Sequence, residues 1–276
     1  MSDTTTPIVV CADDYGLEPG VDEAIVALAV RRRLSATGCL VTATGFVDSA
    51  PALKALPIDV GLHLNFTEDL GPPGAYRPLG SLMALAYARR LTATTVRRQI
   101  EQQLDLFHAH LGRAPDFVDG HLHVHQLPVI REELVSALHV RYGARPPWLR
   151  DTRPTHLASA LPLMQRLKAH VIGALGARAF SVLARDLGAE QNNGFIGAYD
   201  FSRAHPDFAW MLEQWLLNVR PWTVLMTHPA LSASPRLAFG QDRQREFQVL
   251  AGDRFSELLE RFNLRVARLS TRASQA

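Results

Sequence analysis

Short apolar, β-branched runs alternate with longer helical patterns from one end of the 276-residue chain to the other. That alternation is what a helix-covered parallel sheet requires, because each strand needs a crossover that returns the chain to the same end of the sheet. The runs predict strands over 8–12, 37–42, 59–64, 116–119, 147–150, 194–196, 224–227 and 264–267. Helical patterns fill 21–33, 46–56, 94–111, 128–142, 161–187, 208–219 and 243–262. Eight strands in this length fit an α/β fold of the distorted (β/α) barrel type, mainly parallel, better than an open sheet of six. No Pro/Gly/Ser linker or repeat divides the chain, so one domain over residues 1–276 is expected. The segment 67–80, with Gly71, Pro72, Pro73, Gly74 and Pro78, reads as one long loop at a strand end, the kind that contacts substrate.

Composition removes several functions. The 29 Lys+Arg nearly balance 27 Asp+Glu for a net charge of +2, only Lys54 and Lys168 are lysine, and no basic block suggests nucleic acid. With 47% hydrophobic residues the chain can bury a core, which excludes disorder. Cys11 and Cys39 lie inside apolar runs and read as buried free thiols of a reducing compartment. Residues 1–7 lack a secretory pattern, and the apolar stretch 171–184 is broken by Arg178 and falls short of the ~20 residues a bilayer crossing takes. A cytoplasmic protein without a transmembrane segment is expected; homo-oligomerisation stays open.

The 11 histidines are the feature composition does not explain. The first strand ends in Ala12-Asp13-Asp14-Tyr15-Gly16, so two adjacent carboxylates sit at the edge where α/β folds build active sites. Capping of the following helix is the competing role. The third strand carries His63 among apolar neighbours, and the fourth runs into Asp119-Gly120-His121-Leu122-His123-Val124-His125. Three imidazoles in so short a stretch are costly to bury without partners, which points to a metal site. His121, nearest the strand end, is the natural ligand. Asp119 can accept a hydrogen bond from a ligand's second nitrogen. His125 is left open as ligand, support or substrate contact.

One carboxylate and two histidines from three strand ends leave coordination positions open, as a catalytic site requires. Of the two acids, one would bind metal and the other take a proton from water. His228 ends the seventh strand as a general acid or substrate contact, and Arg150 ends the fifth, placed to bind an oxyanion or to orient an acid. His108, His110, His139, His156 and His170 have no such companions and read as structural.

The ordered set of Ala12-Asp13-Asp14-Tyr15-Gly16-Leu17, Val60-Gly61-Leu62-His63-Leu64-Asn65, the block from Asp119 to His125, Arg150 and His228-Pro229 resembles the YdjC-like family of carbohydrate deacetylases, also called the ChbG/HpnK family. The resemblance covers most of the chain. It implies a distorted (β/α) barrel and metal-dependent removal of an N-acetyl group from an amino sugar, with Asp14, His63 and His121 as metal ligands. Magnesium (Mg2+) is the cofactor usually assigned, and zinc (Zn2+) is the alternative. It further implies Asp13 as general base and His228 as acid. Gly120 departs from the serine common in the family, and Leu122 from a histidine some members carry. The substrate implied is an acetylated amino sugar, small or lipid-linked, and low net charge suits a neutral one.

Two rival classes remain. Two histidines and a carboxylate also serve iron(II) oxygenases, which favour a β-sandwich and a short His-x-Asp spacing. A non-catalytic sugar- or metal-binding module is the other, and the paired acids count against it. Ala204-His205-Pro206-Asp207 resembles the metal motif of a different deacetylase family but lies late in the chain and reads as the start of a helix.

Overall fold

All eight expected strands form, in one parallel sheet of order β5-β4-β3-β2-β1-β7-β6 with β8 added against the start of β1. They are β1 (Thr6–Tyr15), β2 (Ala36–Cys39), β3 (Asp59–Leu64), β4 (Phe117–Gly120), β5 (Trp148–Leu149), β6 (Phe195–Ile196), β7 (Thr223–Thr227) and β8 (Leu264–Val266). The computed structural model describes residues 5–71, 74–155, 158–201, 206–217, 219–232 and 237–272. The edge strands β5 and β6 are short, and isolated parallel bridges, Leu149 to Gln191 and Pro154 to Phe195, span the ground between them. The sheet therefore curls into a distorted half-barrel, as the strand count predicts.

Alternation along the strands sorts the core into two layers. Ile8, Val10 and Ala12 of β1 pack with Val60, Leu62, Val118, Leu149 and Leu225 in the larger cluster beneath the helices. Val9 and Cys11 pack with Phe117, Trp148, Phe195, Val224 and Met226 on the opposite, inner side. The inner layer leaves little room: a Cβ on Gly61 would lie 2.4 Å from the Phe117 ring, which stacks on Trp148 at 4.3 Å. Gly61→Ala is accordingly expected to cost about 1–3 kcal/mol through overpacking, measured by urea unfolding.

Helices cover the outer face: α1 (Pro19–Val30), α2 (Phe46–Leu53), α3 (Leu79–Tyr87), α4 (Ala93–Leu111), α5 (Ile130–Tyr142), α6 (Leu163–Ala174), α7 (Ala177–Asp186), α8 (Phe208–Leu216), α9 (Gly240–Ala251) and α10 (Asp253–Arg261). Three differ from expectation. The helix expected over 161–187 is two, bent by 43°, because Gly176 adopts φ +116° where a Cβ would meet the Gln126 carbonyl at 2.3 Å. The one expected over 243–262 breaks at Gly252, whose extended backbone (φ −85°, ψ 176°) ends α9 and starts α10. The proposed 67–80 loop ends in α3, whose small and apolar sequence carries no acidic start. No single helix among the described residues is long and apolar enough to cross a membrane.

Candidate active site

The inner layer changes character at the carboxyl ends of the strands. Continuing each strand's alternation past Cys11, Gly61, Phe117, Trp148 and Met226 arrives at Asp13, His63, Asp119, Arg150 and His228. Apolar packing below thus gives way to charged groups above, and all but His228 are nearly or fully buried. Asp14 should face the helices by the same count. It does not, because its backbone is left-handed (φ 72°) and the β1–β2 register shifts between Ala12 and Tyr15. This bulge turns both adjacent carboxylates toward one place, at a cost in backbone strain that clusters at functional sites.

Asp14, His63 and His121 offer donor atoms all within 4.8 Å of one another. Asp14 Oδ1 lies 3.0 Å from His121 Nδ1 and 3.6 Å from His63 Nε2. His63 Nδ1–H donates to Asp119 Oδ1 at 2.7 Å, which turns Nε2 toward Asp14. Burial pushes His63 down, but Asp119, Asp13 and Asp14 outweigh it and raise its pKa to about 9. A carboxylate, a histidine anchored through Nδ1 so that Nε2 points into the site, and a second histidine fit a divalent cation.

A second carboxylate cluster, Asp13 with His63 and Asp119, is already occupied by a side chain. The fully buried Arg150 donates from Nη1 to Asp13 Oδ2 and from Nη2 to Asp13 Oδ1, both at 2.6 Å. Its Nη2 also lies 2.6 Å from Asp119 Oδ2 and 2.9 Å from Cys11 Sγ. Burial raises the pKa of Asp13, yet Arg150 and then His63 outweigh it and hold the carboxyl below its ordinary value; Asp119 responds the same way to the same neighbours. Of the two positions left open for Arg150, the geometry supports the one that orients an acid.

The turn after β4 presents His121 and withdraws its neighbours. Leu122 and His123 are both left-handed, φ 52° and 61°, so the chain reverses within a 3-10 turn, His121–Gln126. His125 is carried away: its Nε2 meets the Arg150 carbonyl at 3.1 Å and its ring packs on Phe180, outside the three-residue donor set. Gly120 sits where a Cβ would lie 2.8 Å from the His125 nitrogen, so the position expected to be serine has no room for one without a shift.

His228 follows β7, its backbone N–H donating to Glu246 Oε2 at 2.6 Å, and its Nδ1 has no partner among the described residues. Burial lowers its pKa to about 4, Asp14 pulling upward and Arg243 downward. Glu246, buried and pushed up to about 7 by desolvation, also accepts the Tyr199 hydroxyl at 2.8 Å. Arg243, on α9, is the functional neighbour that sequence reasoning missed. It is 7% exposed and donates from Nη2 to Asp14 Oδ2 at 2.6 Å, leaving Oδ1 to the histidine side. A lone arginine on a polar helix carries no local signal. His156 and His205 lie outside the described residues; Asp207 caps α8 by accepting from Ala209 N at 3.0 Å, as the helix-start reading of that motif requires.

The fold and the donor set define a curled α/β barrel with a candidate metal centre at the carboxyl ends of its strands. The chain belongs to the family of YdjC-like proteins, whose family model matches residues 7–261. It is 35% identical over 152 residues to a carbohydrate deacetylase of Mus musculus, an alignment covering 50% of this chain and 48% of that one. It is 33% identical over 137 residues to a chitooligosaccharide deacetylase of Proteus mirabilis (strain HI4320), covering 45% and 54%. The chain thus matches about half the length of these curated relatives. A crystal structure of a candidate cellobiose-phosphate cleavage protein from Enterococcus faecalis V583 superposes with a TM-score of 0.69 at 17% identity, over 96% of this chain and 98% of that one, which establishes the shared fold.

Proposed function

We propose that this chain is a divalent-metal-dependent deacetylase, residues 1–276 forming one such domain, that hydrolyses the N-acetyl group of an amino sugar and releases acetate. The observation that carries the reading is the opposite wiring of two adjacent acids: Asp14 faces His63 and His121, while Asp13 is clamped by Arg150. The deacetylase names of its relatives support the same activity. Asp14, His63 and His121 would hold the metal, Mg2+ by family precedent or Zn2+. Bound there, a divalent ion supplies a lowered pKa for water and polarisation of the acetyl carbonyl.

The chain's own groups do the rest. Asp13, kept ionised by Arg150, accepts the proton of the attacking water. Arg150 is a positioning residue, fixing the plane of Asp13 and, through Asp119, the ring of His63. The leaving amine needs a proton, and His228 is the group placed to give it. Its imidazole is neutral in the resting site at pH 7, since its pKa is about 4. Negative charge growing on the substrate would favour its protonation, and the half-buried ring would take that proton from solvent before passing it to the amine. The acceptor is an N-acetylglucosamine-containing oligosaccharide or glycolipid, and the free buried Cys11 and Cys39 suit a cytoplasmic location.

Acetate release from N-acetylglucosamine oligomers and from lipid-linked N-acetylglucosamine, with and without chelator, tests the reading. Activity that chelator removes and added metal restores is expected. His63→Ala and His121→Ala should each lower bound metal by elemental analysis, by about 10-fold or more in affinity. No acetate from any acetylated sugar would sink the deacetylase reading.

A further inference from the structure

A second polar cavity, of about 660 Å³, lies between the 151–155 segment, α6, residues 192–194 and Arg220. Gly194 immediately precedes β6 and Arg220 lies just before β7, whereas His228 follows β7. The cavity therefore opens where β6 and β7 begin and where the chain leaves β5, directly after Arg150.

Its charge is one-sided. Arg153, Arg166, Arg220 and His170 line it, and Asp151 is its only acid among the described residues. Asp151 is already committed, accepting from Arg153 Nε at 2.7 Å and from the Arg153 backbone N–H at 2.9 Å. The guanidinium groups of Arg166 and Arg220 have no hydrogen-bond or ion-pair partner among the described residues. Like charges lining one cavity repel, and the arrangement is favoured when an anion joins them.

The backbone walls beside these cations are tied to one another. The buried Asn192 side chain donates to the Asp151 and Gly194 carbonyls at 2.8 and 2.7 Å and accepts the Asp151 N–H at 2.7 Å. Gly194 adopts φ +128°, and a Cβ there would lie 1.9 Å from Thr155 Cγ2, so the two walls are locked together. His170 Nδ1–H donates to the Arg166 carbonyl at 2.7 Å, tying two of the lining residues along α6.

We propose that this cavity binds a phosphate-bearing anion, with Arg166 and Arg220 clamping its oxygens. Guanidinium forks match phosphate geometry, and the volume suits a phosphate with the group that carries it. Leu163, Leu167 and Val171 expose apolar side chains on the same helix as Arg166 and His170, so a phospholipid headgroup and a soluble phosphate are both sources to be tested. The inference is independent of metal chemistry: a chain without deacetylase activity would still bind.

Calorimetric titration of the full chain with inorganic phosphate is expected to show saturable binding, roughly tenfold weaker for each of Arg166→Gln and Arg220→Gln. Arg220 is exposed and Arg166 half-buried, so circular dichroism of the variants should match the parent. Co-sedimentation with phosphatidylglycerol vesicles, absent with phosphatidylcholine and lost in the double variant, would assign the anion to lipid. Phosphate binding without vesicle binding would assign it to a soluble ligand. No saturable phosphate binding and no phosphatidylglycerol-dependent sedimentation would overturn the proposal, as would binding that survives unchanged in the double variant.

Discussion

Asp13→Asn is expected to keep its metal and lose acetate release by about 10²–10⁴-fold, the contribution of a positioned general base. The substitution changes the volume little and removes the charge. Arg150 keeps a counter-charge in Asp119, 2.6 Å from its Nη2, so the fold should persist. Asp14, His63 and His121 are untouched, so elemental analysis should report the parent's metal content. A variant that kept most of its turnover would remove Asp13 from the base role. One that lost metal as well would show that Asp13 belongs to the ligand set.

Arg150→Leu is expected to cost about 3–5 kcal/mol in urea unfolding, because it strips the counter-charge from two buried carboxylates at once. The sign of the pH dependence separates this from a simple packing loss. In the parent, Asp13 and Asp119 are held below their ordinary values, so the stability they contribute is present above the usual carboxylate pKa near 4 and is lost as pH falls through the folded values. Without Arg150 only His63 opposes the desolvation that raises them, and the variant should become more stable as pH falls from 7 toward 5. A loss below about 1 kcal/mol, or an unchanged pH slope, would show that the guanidinium does not carry this network.

Much of this architecture was legible before any coordinates because it rests on local pattern. Buried strands of a parallel sheet read as apolar runs, and polar groups appear where those runs stop, so Asp13, His63, Asp119, Arg150 and His228 stood out as strand-end residues. What pattern cannot supply is pairing at long range. Arg150 can be read as an oxyanion donor or an acid's partner, and its contact with Asp13 lies 137 residues away in sequence. Arg243 reaches Asp14 across 229 residues from a helix whose sequence looks like a solvated face. The breaks at Gly176 and Gly252 leave no mark in the sequence pattern, because helical periodicity continues on both sides of a glycine, and a lone glycine in such a pattern is often tolerated. His125 was left undecided because a strand face and a helical turn both kept it beside His121; two consecutive left-handed residues belong to neither.

The bulge at Asp14 also governs which replacements this position can accept. A positive φ strongly penalises β-branched residues and most others, leaving aspartate, asparagine and glycine as the comfortable occupants. The Asp14 carboxylate can therefore be deleted by a single conservative change, but it cannot easily be lengthened to glutamate or exchanged for threonine. Donor chemistry and backbone shape are set by the same residue, so diversification of this site has to come from the loops around it.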